Sequence, residues 1–454
     1  MKKILALFLT VVLLFSLTGC SELTGLDAQA LMSPPRTTAD RQAVYALLQG
    51  DNTGITLVYP RNGEHRSAII SHDLTGDGAV EAVGFYVPEE TVGIAVEILM
   101  KDAEGAWQSL GEFTSAANQV DKVFFGDLTG DGTEEVVVGW GDPQTATANV
   151  SVYSIGNGEA EALLTNTVPY SELMLTDFDG DGIRELFVMD VAVQTAAGEE
   201  NVVSAPLGSL YRFDGDHPFI AGTVPLDTTV TRYSTASFAQ ISSQQQAAVI
   251  DGLKADGRMI TQVVLYNQQT GMLSAPLSNL PAENPNPTDR ATAVAVTARD
   301  VNSDGSIEFP AAQLMYSTEG VTPDSTNYIV TWCRFKTSGG TLEAAAKSVL
   351  NTAENYLMLL PDDGEDYVCV NDPVTRTATF YAYGGSNAVS DDKFAVTVYS
   401  DEGWQAKEQE LAKNELLLTS MAGRVYMLTV LDETLQADEA RVASLRSSFA
   451  ILNE

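Results

Sequence analysis

The stretch VFFGDLTGDGTEEVVVGWG, at Val123 to Gly141, holds the pattern on which the architecture depends. An apolar strand enters an acidic loop that contains glycine, and a second apolar strand leaves it. The same order returns at Ala68 to Val87, Leu173 to Val191 and Val294 to Phe309. The largest gap between copies, before the last one, is roughly two repeats long, which predicts a degenerate copy near residue 240. The stretch FAQISSQQQAAVIDGLK fits, with Ser242 to Gln246 in place of the acidic residues.

Each copy is followed by a pair of apparent strands around a glycine turn, as in VVLYNQQTGMLSAPL. The runs are short and rich in Val, Thr, Tyr and Phe, so they indicate strands rather than amphipathic helices. Four strands per repeat of about 50 residues, five times over, predict a mainly β chain with a β-propeller of about five blades. Six or seven blades, a solenoid and an open array are the alternatives. Ile55 to Pro60 is a candidate strand for closing the ring.

The acidic loops share the pattern D-x-[TDN]-x-D-G-x-x-E, which predicts calcium sites. Calcium takes six to eight oxygen ligands, and alternate residues of a tight loop can face one centre. Glycine at the sixth position allows the turn that brings the carbonyl of the seventh residue to the metal. The expected ligands of the four sites, with the carbonyl oxygen understood at the seventh position, are Asp73, Thr75, Asp77, Ala79 and Glu81; Asp127, Thr129, Asp131, Thr133 and Glu135; Asp177, Asp179, Asp181, Ile183 and Glu185; and Asp300, Asn302, Asp304, Ser306 and Glu308.

These loops resemble the FG-GAP and VCBS-type repeats of integrin-alpha-like propellers. An EF-hand is excluded because the last carboxylate stands at position nine and strands flank the loop. The resemblance covers about residues 54–350 and implies structural calcium. Thr75 and Thr129 depart from the usual Asp or Asn, so the third loop, with four carboxylates, is expected to bind calcium tightest. The alternative is an Asp-Gly turn that binds no metal.

The N-terminus has the three regions of a secretory signal: a basic start, an apolar run from Ile4 to Leu17, and small residues before Cys20. Leu17 to Cys20 resembles the lipobox of bacterial lipoproteins, which implies a lipid on Cys20 and an anchor on the extracytoplasmic face of the cell membrane. The predicted division is a signal peptide at 1–19 and a lipidated tether with a short helix at 20–53. An uncleaved anchor and an ordinary signal peptide are the alternatives.

After the repeats, residues 351–454 predict a small α+β domain with six strands and two helices, at 402–413 and 435–452. Asp432 and Thr434 are candidate caps of the second helix. Cys333 and Cys369 lie in apparent strands and either form a disulfide or remain two buried thiols.

The composition of the chain limits the classes of function that it can have. The 454-residue chain carries 25 basic and 61 acidic residues, a net charge of −36 that excludes nucleic acid as a partner. No catalytic sequence motif is recognisable. The resulting expectation is a non-catalytic, surface-anchored lipoprotein whose calcium-stabilised repeats bind an unknown protein or glycan. The alternatives are an extracytoplasmic polysaccharide-active enzyme, either a hydrolase or a lyase, and a component of envelope assembly or transport.

Overall fold

The computed structural model describes residues 39–50, 54–89, 92–142, 147–156, 158–191, 205–291, 294, 296–315, 326–336, 340–362, 364–383 and 389–452. The predicted signal peptide and Cys20 lie outside the described residues. Among the helices of the described part, none has the length and apolar character needed to cross a membrane. The predicted fold class is confirmed: the chain is mainly β, with a β-propeller followed by an α+β region.

The first three copies of the repeat each form one antiparallel sheet, here called a blade. Blade one contains β1 (Ile55–Leu57), β2 (Ile69–His72), β3 (Glu81–Pro88), β4 (Ile94–Lys101) and β5 (Trp107–Ser115). Blade two contains β6 (Gln119–Gly126), β7 (Glu135–Asp142), β8 (Thr147–Gly156) and β9 (Glu159–Tyr170). Blade three contains β10 (Glu172–Thr176), β11 (Glu185–Asp190), β12 (Leu207–Asp214) and β13 (His217–Pro225). Since β1 pairs with β3, the Ile55 to Pro60 segment extends blade one and does not supply a strand to the last blade.

Blades four and five depart from this regular form. Blade four contains β14 (Val230–Ser242), β15 (Gln245–Lys254), β16 (Met259–Asn267) and β17 (Met272–Ser274), which is the degenerate copy expected near residue 240. Blade five contains β18 (Phe309–Leu314), β19 (Asn327–Lys336), β20 (Thr341–Asn351) and β21 (Tyr356–Leu359), with β27 (Ala450–Ile451) paired to β21. A single bridge between Arg299 and Glu308 precedes β18. The sheet of blade five therefore continues beyond residue 350, the expected domain boundary.

A sixth sheet carries the C-terminal strands in the order β22 (Asp366–Asp372), β23 (Thr377–Tyr383), β24 (Val389–Ser400), β26 (Arg424–Val430) and β25 (Glu415–Met421). The helices are α1 (Ala39–Gln49), α2 (Asp401–Lys407), α3 (Glu433–Ala437) and α4 (Glu439–Ser447), with a 3-10 turn at Glu408–Glu410 after α2. The helix expected at 402–413 is thus shorter, and the one expected at 435–452 is two helices followed by β27.

Consecutive sheets pack face to face through apolar side chains. Phe85 of blade one meets Trp140 of blade two, for example, and Val263 of blade four shares a cluster with Phe309 of blade five. Full burial of such side chains stabilises the fold by about 1.5–3 kcal/mol each relative to their exposure. The helix α1 packs on blade one through Val44 and Leu48.

The two cysteines in the described part are both buried thiols. Cys333 lies in β19 and Cys369 in β22, and no disulfide joins them. The second of the two sequence-based alternatives therefore describes this structure.

Candidate metal centre

The four acidic loops lie at corresponding places: three connect β2 to β3, β6 to β7 and β10 to β11, and the fourth lies directly before β18, closed by the Arg299–Glu308 bridge. They are residues 73–81, 127–135, 177–185 and 300–308, here called loops one, two, three and five after their blades. At the fourth and sixth positions the backbone is left-handed in every loop: φ is +71° at Gly76 and +87° at Gly78, for example. In loop five the fourth position is Ser303, with a φ of +61°. The repeated conformation explains the glycines of the sequence pattern.

The first aspartate of each loop binds the backbone of the loop itself. In loop one, the N–H groups of Gly76 and Gly78 donate to the two carboxylate oxygens of Asp73, at 2.8 and 2.9 Å. Asp127 and Asp177 accept the same two hydrogen bonds, and Gly305 donates to Asp300 at 2.8 Å. These bonds hold the turn, and each carboxylate oxygen has a second lone pair for another partner.

The glutamate at the ninth position is buried in all four loops. Glu81, Glu135, Glu185 and Glu308 are at most 2% exposed, and one oxygen of each accepts the N–H of the residue at the second position. Burial raises the pKa of each of these carboxyl groups, to about 7 for Glu135 and for Glu185. A buried carboxylate of this kind requires a cation or further donors when it is ionised.

The fifth-position aspartates stand at the exposed rim of the loops. Asp77, Asp131, Asp181 and Asp304 each accept the N–H of the seventh residue, at 2.7 to 2.9 Å. The seventh residues are Ala79, Thr133, Ile183 and Ser306, whose carbonyl groups were the expected ligands. All four loops therefore share the same hydrogen bond between the fifth-position aspartate and the backbone of the seventh residue.

The third position separates the loops into two pairs. In loops one and two it is a threonine, and the hydroxyl oxygens of Thr75 and Thr129 are buried and lack a hydrogen-bond partner within the described residues. In loop three, Asp179 accepts the N–H of Asp181 and contacts Arg212. In loop five, the side chain of Asn302 bonds to Asp304 and Glu308. Only the threonine loops thus keep an unsatisfied buried oxygen at this position, as far as the structure describes the chain.

An arginine enters loop three and another enters loop five. The guanidinium of Arg212 contacts Asp179 and lies 3.0 Å from Glu185. In the described residues, the carboxylates of Asp177, Asp179 and Glu185 are the group that converges closely enough to hold a metal, with oxygens within 4.8 Å of one another. In loop five, Arg334 contacts Asp304 and lies 3.2 Å from Glu308. The sequence analysis missed both arginines.

The sheet register shows that both arginines occupy one repeated position. Leu186 pairs with Tyr211 and Phe309 with Cys333, so Arg212 and Arg334 stand directly opposite the loop glutamates. The pairs Ala82 with Leu99 and Val136 with Tyr153 place Met100 and Ser154 at the same position in blades one and two. Ser154 donates to Glu135 at 3.0 Å. The signal available in the sequence was the Arg-Phe dipeptide in the third strand, at 212–213 and 334–335.

Neighbouring loops are joined to one another. The N–H of Glu134 donates to the carbonyl of Leu74, and the N–H of Arg184 donates to that of Asp127, both at 2.7 Å. His72 lies 2.6 Å from Glu134 and stacks on Phe125. Loops one, two and three therefore lie side by side at one end of the blades.

A cleft of about 620 Å³ opens beside loop three. Asp181, Glu185 and Arg212 line one side, and the β12–β13 hairpin lines the other with Asp214 and Phe219. Phe219 is 46% exposed and gives the cleft an apolar surface. The cleft combines carboxylates with an aromatic ring.

No family model matches the chain, and a search of curated protein sequences finds no match. Solved structures match at the level of the fold. A thermostable family-43 glycoside hydrolase is 8% identical, over 75% of this chain and 97% of that chain, with a TM-score of 0.25. CoXyl43, a GH43 β-xylosidase/α-arabinofuranosidase from a compost microbial metagenome, solved with xylotriose in a calcium-free form, is 11% identical, over 64% and 95%, with a TM-score of 0.26. The Dos1 propeller is 8% identical, over 79% and 68%, with a TM-score of 0.27.

These comparisons correct the functional expectation. A non-catalytic surface protein was expected because the sequence contains no catalytic motif, and two of the three structures above are described as glycoside hydrolases. The lack of a recognisable catalytic motif is therefore no ground for calling this chain a non-enzyme. The prediction of a non-catalytic protein was wrong.

Proposed function

We propose that this protein is a calcium-binding β-propeller in which Ca²⁺ binds the acidic loops of the blades. One observation carries the proposal: among the described residues, the buried hydroxyl oxygens of Thr75 and Thr129 have no hydrogen-bond partner, at a position where a metal ligand is expected. A buried polar atom without a partner costs about 1–3 kcal/mol, and a bound cation would remove that cost. The carboxylates of the same loops supply the hard oxygen atoms that calcium prefers.

Loops one and two therefore combine an unpartnered hydroxyl oxygen with carboxylates, which are the ligand types that suit a calcium ion. Asp73, Thr75, Asp77 and Glu81 would hold it in loop one, and Asp127, Thr129, Asp131 and Glu135 would hold it in loop two. Bound calcium would supply positive charge to the buried glutamates and fasten the strand that enters each loop to the strand that leaves it. We infer that the predicted signal peptide and lipid-bearing Cys20 deliver the chain to the extracytoplasmic side, where calcium is abundant enough for sites of about 10⁻⁴–10⁻³ M affinity.

Calorimetric titration of the chelator-stripped protein with CaCl₂ tests this proposal. Calcium is expected to bind with submillimolar to millimolar affinity and to raise the melting temperature, because it binds the folded state alone. Asp77→Asn should remove binding at loop one, whereas Asp102→Asn, in a hairpin turn of the same blade, should leave it unchanged. Absence of any calcium binding at millimolar concentration would reject the proposal.

The cleft beside loop three favours a second candidate function, action on a polysaccharide. Asp181 and Glu185 both line this cleft, and a pair of carboxyl groups is what cleavage of a glycosidic bond uses. Release of reducing ends from a panel of polysaccharides is the measurement. Activity that Glu185→Gln abolishes and Glu135→Gln preserves would support this function, and a protein inactive on the whole panel would count against it.

A further inference from the structure

The repeated loops differ in one respect that the sequence pattern hides, namely the residue opposite the buried glutamate. That residue is Met100 in blade one, Ser154 in blade two, Arg212 in blade three and Arg334 in blade five. We infer that Arg212 and Arg334 serve as built-in cations that take the place of calcium in loops three and five, so that calcium binds loops one and two. This inference rests on the proposed calcium-binding function and assigns that function to particular blades.

The guanidinium of Arg212 uses the oxygens that a metal in loop three would need. It contacts Asp179 and lies 3.0 Å from the 2%-exposed side chain of Glu185. A guanidinium stays charged at every physiological pH, and Nη2 of Arg212 meets both carboxylates. A divalent cation bound to the same oxygens would lie within a few ångströms of this positive charge, where repulsion in a partly buried site is strong.

Contacts from blade four hold Arg212 in this position. Its guanidinium lies 5.7 Å from the ring centre of Tyr266, and the side chain of Gln268 donates to the carbonyl of Asp179 at 2.9 Å. The arginine is thus fixed from the neighbouring blade as well as from its own loop. Displacing it would break contacts in both blades.

The larger negative charge expected to favour calcium binding at loop three is offset by Arg212. Asp177, Asp179, Asp181 and Glu185 give that loop four negative charges, and Arg212 reduces the total to −3. At their predicted ligand positions, loops one and two carry three carboxylates each, and no cation faces them from the corresponding position, so they reach the same total of −3. They also keep the two unsatisfied threonine hydroxyls. On this inference loop three loses the charge advantage that favoured calcium there, because Arg212 contacts Asp179 and Glu185.

Arg334 has a weaker hold on loop five. Its side chain is 46% exposed, compared with 27% for Arg212, although it makes the corresponding contacts with Asp304 and Glu308. The side chain of Asn302 already bonds within the loop. Loop five therefore satisfies its own buried glutamate without a metal.

Calcium titration of five forms of the full protein tests the inference. Wild type is expected to bind two calcium ions, and Met100→Arg and Ser154→Arg should each lose one of them. Arg212→Met should gain a site in loop three, and Arg258→Met, which removes an arginine distant from the loops, should change nothing. Met100→Arg and Ser154→Arg, in the strands that face loops one and two, keep the test valid even if Arg212→Met does not fold.

The outcomes separate this inference from the proposed function. Four sites in the wild type, or two that survive in an Asp77→Asn/Asp131→Asn double variant, would overturn the assignment of blades and leave calcium binding intact. Calcium binding that Met100→Arg and Ser154→Arg leave unchanged would overturn it as well. Binding in none of the forms, Arg212→Met included, would reject the proposed function itself.

Discussion

At the scale of single residues, burial of the ninth-position glutamate makes the calcium-free protein sensitive to pH. Glu135 is fully buried, and desolvation raises its pKa to about 7, against hydrogen bonds from Leu128 and Ser154 that lower it. The folded state therefore holds the proton more tightly than the unfolded state does. The resulting stabilisation is fully present below the ordinary glutamate pKa and is lost as the pH rises through about 7.

Replacing Glu135 with glutamine should remove this dependence. Without calcium, the urea midpoint of the wild type is expected to fall relative to that of Glu135→Gln between about pH 5 and about pH 8. The amide keeps an acceptor for Leu128 N–H and adds a donor toward Ser154, so the fold should tolerate the change. Glu104→Gln, at an exposed turn, is the control. Parallel pH profiles for Glu135→Gln and the wild type would contradict the prediction.

The sequence predicted those site residues that lie close to one another along the chain, and missed those that lie far apart in it. The spacing of Asp73, Asp77 and Glu81 is local and predicts a tight loop with three candidate metal ligands; in the structure, N–H groups of the loop backbone donate to all three carboxylates. Arg212 lies 27 residues beyond Glu185, and only the strand register brings the two together. A loop pattern therefore identifies candidate ligands, whereas the cross-strand neighbour that competes with a metal needs the structure.

At the scale of elements, blade four lacks the acidic loop and contains a buried ion pair in the middle of its sheet. Arg290, fully buried, lies 2.7 Å from Asp251 of β15, and it also donates to the carbonyl of Val296 at 2.9 Å. Asp251 in turn accepts the hydroxyl of Thr261 at 2.5 Å. This network fastens the segment that leads to blade five onto the sheet of blade four.

We expect Arg290→Met to destabilise the protein by about 3–5 kcal/mol, since it leaves the Asp251 carboxylate buried without its cation. Urea unfolding followed by circular dichroism measures the change. The double variant Arg290→Met/Asp251→Asn should recover part of the loss because it removes the uncompensated charge. A cost no larger than that of Arg258→Met, at a half-exposed surface pair, would show that the network has little effect on stability.

Helix boundaries were harder to predict than helix existence. The apolar spacing of residues 435–452 indicates one helix, but Asp438 accepts the N–H of Arg441 and starts a second helix there. Asp432 caps the first, as expected, by accepting the N–H of Leu435 at 2.8 Å. The last residues of the segment pair with β21 instead. The chain is therefore divided into two helices at Asp438, whose side chain caps the second helix within a continuous apolar pattern.

At the scale of the whole molecule, the repeat in the sequence correctly predicts the succession of blades. Strand–loop–strand copies at a regular interval need only local pairing, and blades one to three pair neighbouring strands in chain order. The last strand of blade five could not be predicted from the repeat. Its sheet takes β27 from the far end of the chain, about 90 residues beyond β21, and no local pattern encodes that pairing.

The position shared by Met100, Ser154, Arg212 and Arg334 also has an evolutionary consequence. Duplicated blades inherit the same loop, and one substitution in the facing strand decides whether that loop depends on a dissolved ion or on its own side chain. A lineage can therefore shift its dependence on environmental calcium one blade at a time, without rebuilding the loop. Descendants in calcium-poor habitats are expected to carry arginine at this position in more of their blades.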